Sequence, residues 1–286
     1  MRVSIYNLHS MCENNTLFLS RAWRYFQLNG HSVNAGDGVD LVFVGGCVVT
    51  DAMRGRCENN ILNLMSRIKN VRIVIFGCLA AFRESLKTAA GGDAGRLFFI
   101  SHRDSGELDD LIHARFLFET VRTSRLRDHI PYQPCMGPED DYVHISQGCV
   151  NDCSYCTIRT AKGSVLSRTP ESIGNEVRDL FERGVRTVTL LADDCGSYGI
   201  DRGSDFAGLL TRLCAVSPEL RYKIYTIIPS LFLHQAARLE PFFAAHRVPY
   251  VCLPMQSASP RILDLMNRRY NLRDVADAVR DRKSVV

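Results

Sequence analysis

No apolar run in this 286-residue chain approaches the length needed to cross a bilayer, so nothing argues for a membrane-embedded protein. The opening residues, Met1-Arg2-Val3-Ser4-Ile5-Tyr6, lack the apolar stretch of a signal peptide and read as a short strand. Internal repeats and low-complexity segments are missing too, which argues against a repeat architecture or an extended disordered tract. A strong charge imbalance is also lacking. With 35 basic against 31 acidic residues the net charge is +4, which permits an RNA partner without arguing for one. What is present is ordinary for a soluble globular protein: 46% hydrophobic and 23% charged residues, in a length sufficient for two domains, each with its own core. The eleven cysteines are many for a chain with no export signal. The expectation is a cytoplasmic protein whose thiols stay reduced and serve metal or redox chemistry.

Three of those cysteines stand together in Gln147-Gly148-Cys149-Val150-Asn151-Asp152-Cys153-Ser154-Tyr155-Cys156, a C-x3-C-x2-C spacing. Iron–sulfur cubanes are normally held by four cysteines. A loop offering Cys149, Cys153 and Cys156 alone would leave one iron open to a ligand that is not protein. The competing readings are a zinc site and unrelated core cysteines. Zinc sites usually come as paired C-x2-C units, and no second pair lies nearby.

Residues 1–112 alternate strand and helix. Strands are expected at Arg2–Tyr6, Val39–Val44, Val71–Phe76 and Arg96–Ile100. Helices are expected from Thr16 as cap to Gly30, from Asp51 to Lys69, and over Leu79–Ala90. The continuous apolar runs are those of buried parallel strands, and the alternation predicts a doubly wound α/β sheet. Residues 113–141 read as a connector. It carries Arg122, Arg125 and Arg127, then Pro131, Pro134 and Pro138, and a solvated linker is preferred over a nucleic-acid contact.

A second βα series fills residues 142–286. Strands are expected at Tyr142–Ser146, Thr187–Ala192, Tyr222–Ile228 and Pro249–Leu253. A helix capped by Thr169 opens on Pro170 and stops at Gly184, and a last helix begins near Asn271. Each strand is followed by an unusual segment: the three-cysteine loop, then Asp193-Asp194-Cys195-Gly196-Ser197-Tyr198-Gly199, then Pro229-Ser230, then Pro254-Met255-Gln256-Ser257-Ala258-Ser259. Parallel α/β barrels build their active sites at that end of the strands. Asp193-Asp194 can be solvent-facing or capping residues, or can bind a ligand beside the cysteine loop. In the first half, Cys12, Cys47 and Cys78 each follow an expected strand. The carboxyl ends of a doubly wound sheet are where ligands bind, so these thiols either converge on one site or are small buried packing residues. Cys57, Cys135, Cys195, Cys214 and Cys252 show no such pattern and are expected to pack or to lie in loops.

The chain resembles the radical S-adenosylmethionine (SAM) methylthiotransferases over nearly its whole length. The segments that carry the resemblance are Met11-Cys12-Glu13-Asn14-Asn15, Gly46-Cys47-Val48-Val49-Thr50-Asp51 and Gly77-Cys78-Leu79-Ala80 in the first half. In the second they are the cysteine loop from Gly148, Lys162-Gly163, Ser167-Arg168, Tyr198-Gly199, Pro254-Met255-Gln256-Ser257 and Met266-Asn267-Arg268-Arg269. The chain departs from the family pattern at Arg159, Asp193, Ile228 and Cys252.

The resemblance implies an N-terminal flavodoxin-like domain at 1–112 and a radical SAM barrel core at 142–286, here only about four βα units, without the family's C-terminal RNA-binding β-barrel. It implies two [4Fe-4S] clusters, one on Cys12, Cys47 and Cys78 and one on Cys149, Cys153 and Cys156. SAM is then the cofactor, with Ser167, Arg168 and Asp194 as candidate contacts. A reducing electron donor is implied, and a partner chain or dimer could complete the barrel. The activity implied is methylthiolation of a modified adenosine of tRNA next to the anticodon. The alternatives are methylthiolation of an aspartate in a small-subunit ribosomal protein, a non-catalytic iron–sulfur or sulfur-carrier role, or an inactive fragment.

Overall fold

The computed structural model describes residues 1–34, 38–125 and 141–280. They form two compact units, the first comprising 1–138 with Thr160–Lys162, the second 139–159 with 163–286.

The first unit runs β1 (Arg2–Asn7), α1 (Glu13–Leu28), β2 (Ser32–Val33), β3 (Leu41–Gly45), α2 (Asp51–Arg67), β4 (Arg72–Phe76), α3 (Arg83–Ala90), β5 (Leu97–Ile100) and α4 (Gly106–Ile112). Its five strands are all parallel, in the order β2-β1-β3-β4-β5, which is the flavodoxin-like order. Strand periodicity divides the apolar runs between two faces. Leu41, Phe43, Val74 and Phe76 pack with Phe18, Leu19 and Ala22 of α1 and Leu108 of α4. Val42, Val44, Ile73 and Ile75 pack with Ile61 and Met65 of α2 and Leu86 of α3. Residues alternating along one strand are thus buried on both sides, as a doubly wound sheet requires.

Three local expectations are corrected. Helix α1 starts a turn before Thr16, with Cys12 at its N-cap. Thr16 is buried inside it, its hydroxyl accepting from Asn7 Nδ2 at 3.1 Å. The helix read over Leu79–Ala90 is a 3-10 turn, Cys78–Phe82, followed by α3. The edge strand β2 is too short for periodicity to show. Phe118 and Val121, from the stretch read as connector, are buried in the first unit's core. Arg127, Pro131, Pro134 and Pro138 lie outside the described residues.

The second unit contains β6 (Asp141–His144), β7 (Ser146–Gln147), α5 (Ile158–Lys162, whose last three residues belong to the first unit), β8 (Leu166–Ser167), α6 (Pro170–Glu182), β9 (Thr187–Leu191), α7 (Phe206–Cys214), β10 (Arg221–Ile224), α8 (Pro229–Ala244), β11 (Tyr250–Val251), α9 (Pro260–Leu265) and α10 (Leu272–Arg280). A parallel sheet in the order β11-β10-β9-β6 and an antiparallel pair β7-β8 result. Thr169 caps α6 through its side chain to Ser172 N, with Pro170 at the first turn, as the sequence indicates. Strands β10 and β11 end earlier than expected because the backbone beyond them bonds to the neighbouring loops. Thr226 O accepts from Cys195 N, Ile227 N donates to Cys252 O, and Ile228 N donates to the Asp194 carboxylate. Among the described residues no helix is long and apolar enough to cross a membrane.

Candidate metal centres

Cys149, Cys153 and Cys156 occupy the loop after β7. Gly148 turns the chain into it at φ +79°. A Cβ there would stand 2.4 Å from Ser164 O, so only glycine permits the approach. The Gly148 amide donates to Asp193 Oδ2 at 2.8 Å. Cys149 Sγ accepts from Asn151 N at 3.4 Å and Asn151 Nδ2 at 3.2 Å. The loop is fastened to the segment after α9. Ser154 N donates to Met266 O at 3.1 Å, Ser154 Oγ to Leu265 O at 2.7 Å and Asn267 Nδ2 to Asp152 O at 3.0 Å, while Arg269 pairs with Asp152 at 3.3 Å. The thiols are free, with Cys156 exposed and the other two partly so. Burial pushes the Cys149 and Cys156 thiols up from their ordinary range, so loading with metal would release protons.

Asp194 lies beneath this loop with no exposed surface. Its Oδ1 accepts from Gly196 N and Ile228 N, both at 3.1 Å, and its Oδ2 from Ser197 Oγ at 2.6 Å and Asn151 Nδ2 at 3.4 Å. One carboxylate therefore joins the loops that follow β7, β9 and β10, the convergence expected of a barrel-type site. Burial pushes its pKa up, against the hydrogen bonds that favour the charged form.

Ser167 and Arg168 lie nearby with their polar groups engaged inside the chain. Ser167 Oγ accepts from Gly199 N at 2.9 Å, and its amide donates to Asp201 Oδ2 at 2.9 Å. Arg168 Nη1 donates to His144 O at 2.7 Å, and Nη2 reaches Ser172 Oγ at 2.9 Å and pairs with Glu176 at 2.7 Å. In this geometry Ser167, Arg168 and Asp194 brace the backbone around the cysteine loop.

Arg268 carries no signal in the sequence that marks it as a site residue. It is 7% exposed. Its Nη2 donates to Tyr155 Oη at 2.8 Å, while among the described residues Nε and Nη1 have no hydrogen-bond partner. With Val150, Asn151, Asp152 and Ser230 it lines a cavity of about 210 Å³.

Cys12, Cys47 and Cys78 come from three separate strand ends in the first unit: Cys12 caps α1 after β1, Cys47 follows β3 and Cys78 follows β4. Cys47 and Cys78 are close enough to Cys12 to disfavour its thiolate, and burial, the larger effect, pushes that thiol up to about 12. Gly77 precedes Cys78 at φ +88° and ψ −139°, and a Cβ there would stand 2.9 Å from His102 Nε2. Lys162 is buried here. Its neighbour Ala161 packs in the same core cluster as Val42 and Ile75, its carbonyl accepts from Arg103 Nε at 2.7 Å, and its ammonium favours the thiolates of Cys12 and Cys47. Burial, and then the Lys162 and Arg21 charges, push the buried His102 well below its ordinary range and favour the neutral ring. Of the other cysteines, Cys57 sits behind Cys47 and accepts from its amide at 3.5 Å, and Cys195 is a fully buried core residue. Cys135 lies outside the described residues.

Among the described residues no three His, Cys, Asp or Glu side chains stand close enough to hold a single metal ion. A cubane takes its ligands on different irons, so its donors stand further apart than those of one ion. Three free thiols on one loop, beside a buried guanidinium with unfilled N–H groups, suit an anionic thiolate cluster.

Residues 143–285 match the model of the Radical SAM superfamily. The chain is 30% identical over 281 residues to a tRNA-2-methylthio-N(6)-dimethylallyladenosine synthase of Bacteroides fragilis, with 91% of this chain and 59% of that protein covered. It is 28% identical over 278 residues to the ribosomal protein uS12 methylthiotransferase RimO of Acidithiobacillus ferrooxidans, covering 90% and 59%. The chain thus spans about three fifths of the length of these curated relatives. Among solved structures, the radical S-adenosylmethionine methyltransferase TsrM of Kitasatospora setae superposes with a TM-score of 0.59 at 15% identity, over 100% of this chain and 68% of that one. At that identity the likeness is one of fold.

Proposed function

The chain belongs to the radical SAM superfamily, and on that premise we propose that it is a methylthiotransferase acting at an unactivated C–H of a modified adenosine next to the anticodon of tRNA. The observation that carries the reading is the pair of cysteine triads, Cys149/Cys153/Cys156 on one loop and Cys12/Cys47/Cys78 at three strand ends, in a chain whose relatives carry out methylthiolation. A [4Fe-4S] cluster on the first triad would supply, from an external low-potential donor, the electron that cleaves SAM, and a second cluster on the other triad would carry sulfur.

The chain's own part is to position and shield. Asn151 directs two N–H groups at Cys149 Sγ, and Asp194 locks Asn151 to the loops after β9 and β10. The Ser167–Arg168 segment, fixed by Gly199, His144 and Glu176, would supply contacts to SAM. Lys162 sets a positive charge beside the sulfur-carrying triad. Unpaired bases in the anticodon loop offer the access such chemistry needs. Reduced thiols and a tRNA substrate both suit the cytoplasm.

The likeness to the uS12 enzyme supports a second reading, an aspartate of a small-subunit ribosomal protein. Mass spectrometry of tRNA nucleosides and ribosomal proteins from cells lacking this chain separates the two. Loss of the methylthioadenosine is expected. An unchanged tRNA profile with a lighter ribosomal protein would reverse the choice.

A further inference from the structure

Burying a charge without a partner is expensive, and native chains avoid it. Arg268 is 7% exposed, yet among the described residues no carboxylate pairs with it, and Nε and Nη1 donate to nothing. The acidic groups around it are engaged elsewhere. Asp152 pairs with Arg269, and both oxygens of Asp194 accept from Gly196, Ile228, Ser197 and Asn151, so the Arg268 charge favours the Asp194 carboxylate only from beyond contact distance. The contact that Arg268 does make is with Tyr155, between Cys153 and Cys156, at 2.8 Å. Ser154 of the same loop is bonded to the backbone of Leu265 and Met266, just before Arg268. The guanidinium therefore keeps a fixed position against the cysteine loop, and its charge favours the thiolate of Cys156.

We propose that Arg268 is the buried counter-charge of the thiolate-bound cluster on Cys149, Cys153 and Cys156, and that it holds the reduction potential of that cluster up. The proposal rests on the function proposed above. Net charge and hydrogen bonds to sulfur are among the determinants of iron–sulfur potentials. Three thiolates leave the oxidised centre net negative, and one electron from the external donor adds a further negative charge. A fixed cation with free N–H groups favours that more negative state. Arg268 is a positioning residue in this account, acting on the centre rather than on the substrate.

The test uses the full chain, reconstituted with iron and sulfide, in a Cys12/Cys47/Cys78→Ala background so that only the loop centre is read. Arg268→Gln and Arg268→Lys are compared by iron content and by potentiometric titration with dithionite followed by electron paramagnetic resonance. Arg268→Gln is expected to shift the midpoint to a more negative potential or to fail to retain the cluster, with Arg268→Lys staying near the parent. Without the cluster, Arg268→Gln is expected to melt no lower than the parent, because a buried guanidinium with no contact ion pair and two unfilled N–H positions is gone.

A fully loaded Arg268→Gln with the parent potential would overturn the proposal. Weaker SAM binding at an unmoved potential would also overturn it, making Arg268 a cofactor contact. Equal cluster loss in both variants, with a lowered cluster-free melting temperature, would reduce Arg268 to a fold-holding residue. A parent chain that takes up no iron would overturn the reading of the site itself, an outcome separable from the others because it precedes any substitution at Arg268.

Discussion

Cys149, Cys153 and Cys156 come from one loop, whereas Cys12, Cys47 and Cys78 come from the ends of β1, β3 and β4. The loop triad is local. Its geometry depends on Gly148, on the Asn151–Asp194 contact and on the segment Leu265–Arg269 that fastens it from outside. The strand-end triad exists only when the parallel sheet is in register, because each thiol is placed by a different strand. Each triad has a buried cation near it, Arg268 in one case and Lys162 in the other. The two centres therefore depend on the fold to different degrees, and substitutions should separate them.

The largest separation is expected from Phe76→Ala. Phe76 is fully buried just before Gly77-Cys78 and packs against Phe18, Phe43 and Phe118. Its loss should cost about 3–5 kcal/mol. Iron at the strand-end triad should fall while the loop triad still loads, as read by iron analysis of each centre. Asp194→Ala should do the reverse. It strips partners from Gly196 N, Ile228 N and Ser197 Oγ, costing about 3 kcal/mol. Denaturant melting and iron at the loop triad should both drop, with the strand-end triad spared.

Gly77→Ala separates the two centres at a single backbone position. At φ +88° and ψ −139° the added Cβ is strained and also meets His102. A cost of about 2 kcal/mol and loss of iron from the strand-end triad alone are expected from the same assays. Ser154→Ala removes one exposed fastening of the loop and should cost about 0.5 kcal/mol, seen as faster iron release to a chelator. A difference in rate rather than stability closes the series. In the cluster-free chain, alkylation near neutral pH should modify the exposed Cys156 before Cys12, whose thiol burial pushes up to about 12. Raising the pH increases thiolate, so Cys156 should speed up first and Cys12 respond only at strongly alkaline pH.

The parallel sheet of the first unit was legible because Leu41–Gly45 and Arg72–Phe76 are continuous apolar runs between turns. The loop triad was legible because its spacing is local, and the strand-end cysteines because each follows such a run. Thr16 misleads because a threonine before an apolar helical pattern resembles a cap, while the helix has already begun at Glu13 with Cys12 as its N-cap. The sequence pattern overextends β10 and β11 because apolar residues continue there after the backbone has turned its hydrogen bonds to the loops. Arg268 and Lys162 left no such signal. A long cationic side chain looks solvated in sequence, and only packing reveals that these two are buried. Arg268 lies within Met266-Asn267-Arg268-Arg269, a segment already singled out, but nothing in the sequence distinguishes it from Arg269, which is exposed.

The most direct test of two separate centres is iron content and Mössbauer spectroscopy of the anaerobically reconstituted chain, beside Cys149/Cys153/Cys156→Ala and Cys12/Cys47/Cys78→Ala. Two clusters' worth of iron in the parent, halved in each triple variant, is the predicted result. Iron amounting to one cluster that is indifferent to the loss of Cys149, Cys153 and Cys156 would contradict the account.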